Sequence, residues 1–144
     1  MKRLATVLAT AIALSSLPAT AADTFSNPIL TGMNPDPSIC RVGDDFYLVT
    51  STFEYYPGLP IYHSKDLVNW KIIGHALSTP KSNPLKGAGT SGGQYAPTLR
   101  YHDGKFYVIG TNYGGEGARG ISYVTATDPA GPWSDPVWLD EWWV

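Results

Sequence analysis

The sequence predicts an all-β fold made of two repeated four-stranded units. Apolar residues fall in short runs, with no long stretch of 3.6-residue periodicity. Turn signals rich in Gly, Pro and Asp separate these runs. The runs also recur at a fixed interval, as a chain of stacked β-units requires. Composition agrees: 15 Gly, 12 Pro and 12% aromatic residues stand beside only 15% charged ones.

The strands can be taken in order. "SIC" at residue 38 opens the first, and "VGDD" turns it into "FYLVT". "YYPGLP" leads to "IYH", and "SKDLVNW" leads to "WKIIG". A second series begins at "TLRY" and passes through "HDGK" to "FYVIG". "ISYVTA" follows, then the turn "DPAGPW". Asp103-Gly104 is a strong hairpin signal, because a type I′ turn needs positive φ at both central residues. "FYLV" and "FYVI" lack polar alternation, which predicts strands covered on both faces.

The second series copies the first. Pro37, Ser38, Ile39, Phe46 and Tyr47 recur 60 positions later as Pro97, Thr98, Leu99, Phe106 and Tyr107. Asp66 matches Asp128 at an offset of 62, and Trp70 matches Trp133 at 63. Four short strands per unit is the content of a β-propeller blade. Asp66 and Asp128 are then expected to bond local backbone in equivalent turns, with Trp70 and Trp133 packing between blades.

Ahead of the repeats lies a segment outside the fold. "MKR", then "LATVLATAIALSSLP", then the small-residue site "ATA" at 19–21 reads as a secretory signal peptide, too short to span a membrane comfortably. A domain of residues 22–144 should remain, secreted or periplasmic. Losing Lys2 and Arg3 takes the formal charge from −2 to −4. An acidic chain without a basic cluster argues against nucleic acid and against anionic membranes as partners. Cys40 stands alone, so no intrachain disulfide forms, and it reads as a small buried apolar residue rather than a nucleophile. His63, His75 and His102 have no metal-ligand spacing, and no metal site is expected.

"NPDPSIC" is the segment with chemistry in it. Proline fixes its own φ and disfavours helix for the residue before it, so Asp36, between Pro35 and Pro37, is expected to be held extended. In the second unit Ala96 stands in its place, so a blade start does not require a carboxylate. Innermost strands of a propeller converge on its axis. A carboxylate unique to one such position is a candidate acid or base at a funnel.

These residues carry a family resemblance. "NPILTGMNPDPSICRVGDDFYLVTSTFEYYPGLPIYHSKDLVNW" resembles the amino-terminal motif of glycoside hydrolase family 43, the β-xylosidases and α-L-arabinofuranosidases. "YAPTLRYHDGKFYVIGTN" and "TATDPAGPWSDPVW" resemble its second blade, and the likeness spans residues 26–139. It implies a five-bladed β-propeller, of which this chain holds the first two blades. It also implies inverting hydrolysis of xylosides or arabinosides, β-xylosidase first, with oligosaccharide substrates.

Inversion needs a general base to activate water and a separate acid to protonate the leaving oxygen. The resemblance places the base at Asp36 and Phe53 at the terminal-sugar pocket, although Phe53 fits ordinary core packing equally well. Tyr95 keeps an aromatic platform where the family's xylosidases carry Trp, which leaves the sugar preference open. Glu54 is a rim contact or a solvated loop residue. No cofactor is expected; an axial calcium occurs in some family members, with no support in this sequence.

The family's second aspartate and its general-acid glutamate have no counterpart here, and Asp140 and Glu141 match neither motif. The expectation is therefore a truncated copy, inactive alone and prone to self-association through an open blade face. A secreted carbohydrate-binding fragment using Phe53 and Tyr95 is the alternative. A sialidase-like propeller ranks last, for want of an arginine cluster.

Overall fold

A computed structural model describes residues 24–117 and 119–139. The signal-peptide segment 1–21 and the pair Asp140 and Glu141 lie outside the described residues. Eight strands form two four-stranded antiparallel sheets, with no helix among the described residues. The first sheet holds β1 (Ser38–Val42), β2 (Asp45–Val49), β3 (Gly58–Ser64) and β4 (Lys71–Leu77) in sequence order. The second holds β5 (Gly93–His102), β6 (Lys105–Tyr113), β7 (Gly120–Ala126) and β8 (Val137–Trp138), also in order. Each sheet is a meander of adjacent strands, as in a propeller blade.

The sequence repeat is a structural repeat. Ser38 pairs with Val49 and Thr98 with Ile109, while Val42 pairs with Asp45 and His102 with Lys105. The first two strands of each blade therefore share one register, displaced by sixty residues. The hairpin at Asp103-Gly104 has positive φ at both residues, 46° and 76°, as a type I′ turn requires.

The core lies between the blades. Val49, Leu59, Ile61, Ala76 and Leu77 of the first sheet cluster with Leu99, Phe106, Val108 and Val124 of the second. Trp133 packs against this cluster, as expected of an inter-blade residue. Trp70 instead lines the opposite side of the first sheet with Pro37, Ile39, Leu48 and Leu67. Asp66 and Asp128 bond local backbone: Asp66 accepts from the amides of Val68 and Asn69, and Asp128 from that of Ala130. Cys40 is half-buried against the core rather than fully enclosed, and burial pushes its thiol pKa up.

One expectation is corrected here. The "FYVI" strand was expected to be covered on both faces, yet β6 alternates. Phe106, Val108 and Asn112 are buried while Ile109 and Tyr113 are exposed. Among the described residues a blade packs on one side of this sheet only, so the other row faces outward.

Candidate active site

The inner strands β1 and β5 lie side by side, and their leading residues build the site. Leu99 N–H donates to Ser38 Oγ at 3.1 Å, tying one inner strand to the other. Just ahead of β1, Asp36 is exposed and sits at φ 51°. This corrects the extended backbone expected from its flanking prolines. Ser51 accounts for the difference. Its amide donates to Pro35 O at 3.0 Å and its hydroxyl to Asp36 Oδ2 at 2.7 Å, folding the segment back on itself. Asparagine and aspartate tolerate this left-handed region better than most residues.

Ala96, the repeat counterpart, also has positive φ, 39°, and a β-bulge falls between Tyr95 and Thr98. The turn thus belongs to the start of each inner strand, and the carboxylate is what distinguishes the first. Asn34 is fixed as well, its Oδ1 accepting from Tyr62 OH at 2.7 Å and its Nδ2 donating to Thr31 O at 3.0 Å.

The structure brings Phe53 and Tyr95 together. Phe53 and Gln94 exchange two backbone hydrogen bonds, each 3.0 Å, in a bridge between the blades. Behind it Gly93 has φ 100°, and a Cβ there would stand 2.1 Å from Phe53 O. The Phe53 and Tyr95 rings then meet edge-on with centroids 5.0 Å apart, and Tyr113 continues the series 6.4 Å from Tyr95. Half-buried aromatic faces suit the C–H face of a sugar, which they cover without needing hydrogen bonds. Glu54 is half-buried, and its Oε2 accepts from Ser91 N–H at 3.1 Å, which gives it a loop-tying contact.

A proline-flanked carboxylate just ahead of the inner strand, linked through Ser51 to the Ala96 amide that follows the aromatic Tyr95, fits glycoside chemistry. The profile of "Glycosyl hydrolases family 43" matches residues 25–143. The chain belongs to that family. A non-reducing end α-L-arabinofuranosidase of Bacteroides ovatus is 79% identical over 122 residues, covering 84% of this chain and 23% of the relative. A xylan 1,3-β-xylosidase of a Vibrio species is 50% identical over 119 residues, covering 79% of this chain and 22% of the relative.

Among solved structures, the Bacteroides ovatus xyloglucan PUL protein of family 43 superposes with a TM-score of 0.80 at 78% identity, covering 83% of this chain and 24% of that one. A xylan β-1,4-xylosidase from Bacillus halodurans gives 0.72 at 49% identity, covering 78% and 22%. The chain therefore spans under a quarter of the length of these relatives, as two blades of a larger propeller would.

Within this family 43 chain, sequence reasoning named Asp36, Phe53, Glu54 and Tyr95 as candidates and did not name Ser51 or Tyr113, which the structure places in contact with Asp36 and Tyr95. Ser51 was detectable in principle. The repeat sets it opposite Thr111, a hydroxyl at the same point in both blades. Tyr113 carries the same signal, because the repeat sets it sixty positions after Phe53, an aromatic at the same point in both blades. Its contact with Tyr95 was not legible, since that depends on how β6 pairs with Gly93.

Proposed function

We propose that this chain forms the amino-terminal two blades of an inverting exo-glycosidase that removes terminal arabinofuranosyl or xylosyl units. Asp36 is its general base. The carrying observation is the Asp36 carboxylate just ahead of the innermost strand, held by Ser51, whose hydroxyl also accepts from the Ala96 amide next to Tyr95. The base takes a proton from water as that water attacks the anomeric carbon. A carboxylic acid roughly 6.5–9.5 Å away protonates the departing oxygen. That acid comes from the part of the propeller that the relatives have beyond this stretch, so residues 1–144 alone are expected to show no turnover. Arabinofuranose is the first sugar to test, because the 79%-identical relative is named for it.

The test is a chimera in which residues 24–139 replace the matched segment of the Bacteroides ovatus relative. It should hydrolyse aryl α-L-arabinofuranoside or aryl β-xyloside. Asp36→Asn should lower kcat by about 10³-fold, within the span that general-base catalysis contributes. Proton NMR of the first-formed sugar should show the inverted anomer; the retained anomer would overturn the mechanism. Saturable sugar binding without turnover in the chimera would favour a carbohydrate-binding role instead.

Residues 1–21 are proposed to direct export, on their charged start, apolar stretch and small-residue site. Amino-terminal sequencing of the protein recovered outside the cytoplasm should begin at Ala22.

A further inference from the structure

We propose that Ser51 is the positioning residue for the general base, an inference that rests on Asp36 being that base. Ser51 is 1% exposed, so no water replaces its bonds. A hydroxyl has one proton to give and two lone pairs to receive with. The Ala96 N–H donates to Ser51 Oγ at 2.7 Å and occupies one lone pair. The single hydroxyl proton goes to Asp36 Oδ2, also at 2.7 Å. One carboxylate oxygen is thereby committed to Ser51, and Oδ1 is the atom left to take the proton from water.

The Ser51 amide fixes Pro35 O as well, so backbone and carboxylate are set from the same residue. Ala96 belongs to the second blade. The aim of the base is therefore locked to the register between blades, although the second blade supplies no carboxylate.

The competing account is purely structural. Thr111 occupies the equivalent place in the second blade, where Ala96 replaces the aspartate, so a hydroxyl there could serve only to bridge strands. A double-mutant cycle in the chimeric enzyme separates the two. Ser51→Ala is expected to lower kcat about 10- to 100-fold with KM changed less than about twofold, the signature of a misaimed base. Ser51→Thr, which restores the hydroxyl, should recover most of that loss. In the Asp36→Asn background Ser51→Ala should cost nothing further, because the group it aims is already disabled.

An unchanged kcat in Ser51→Ala, or the same fold-loss in both backgrounds, overturns the proposal. Retention of full kcat in Asp36→Asn overturns the base assignment itself, and this inference with it. Should Ser51→Ala fail to fold, Ser51→Cys keeps the shape with only a weak donor and is expected to show the same kcat loss; an unchanged kcat there is equally fatal.

Discussion

Asp66 shows how much a single exposed carboxylate can organise. Its Oδ1 accepts from the Val68 and Asn69 amides at 2.9 and 2.7 Å and from the Ser64 hydroxyl at 2.9 Å. Its Oδ2 accepts from Asn69 Nδ2 at 2.7 Å. Every donor favours the charged form, and those from Asn69 lead in holding the carboxyl far below the usual carboxylate range. A group with a depressed folded pKa stabilises the fold fully above its ordinary value of 3.8. That contribution is lost as pH falls through the folded value. Asp66→Ala should therefore melt at a lower temperature near neutrality and respond less to acid below about pH 4. Equal acid sensitivity in both proteins, followed by circular dichroism, would contradict this.

Residues of this kind were legible from sequence because their partners are local. A serine, an aspartate and an asparagine within six positions make their own turn. Asp36 was half legible. Its candidacy as an acid or base followed from the contrast with Ala96, but its conformation did not. Local proline rules favour an extended residue, whereas Ser51, fifteen positions away, turns it left-handed. Long-range hydrogen bonds override short-range preference at this position.

At the scale of elements, the link between Phe53 and Gln94 decides where the aromatic platform stands. Two backbone hydrogen bonds cross from a loop of the first blade to the inner strand of the second. They close only because residue 93 lacks a side chain. Gly93→Ala would place a Cβ 2.1 Å from Phe53 O and force an L-residue to φ 100°. The bridge must open, at a cost of about 1–3 kcal/mol from overpacking alone. In the chimera the expected outcome is a raised KM, since the Phe53 and Tyr95 rings lose their common anchor. A KM unchanged by Gly93→Ala would show that the rings hold one another without the bridge. The strands themselves were readable from runs and turns. The bridge was not, because nothing in the spacing of Phe53 and Gln94 marks them as partners.

At the scale of the molecule, the two faces of the blade pair follow from the repeat. In the second blade the row Leu99, Val108 and Val124 lies across adjacent strands and is buried against the first blade. The matching row in the first blade is Ile39, Leu48 and Tyr62, continued by Ile72 on β4. Leu99 is 0% exposed and its counterpart Ile39 is 49% exposed. The opposite faces show the same contrast, with Val49 at 0% and Ile109 at 36%. Within the first-blade row Leu48 and Tyr62 are themselves buried, at 6% and 9%, so the open apolar positions are Ile39 and Ile72 on one outer face and Ile109 and Tyr113 on the other. Exposed apolar positions of this kind drive association.

Purified residues 22–144 are accordingly expected to form oligomers or aggregate at about 100 μM, a range in which incompletely packed chains commonly associate. Light scattering after size exclusion reads this directly. Ile39→Lys combined with Ile72→Lys adds charge to one row only and should shift the population toward monomer or dimer. A wild-type chain that stays monomeric would show that the open rows are too narrow to act as interfaces. A double variant that associates as strongly as wild type would move the contact to the Ile109 and Tyr113 face of the second blade.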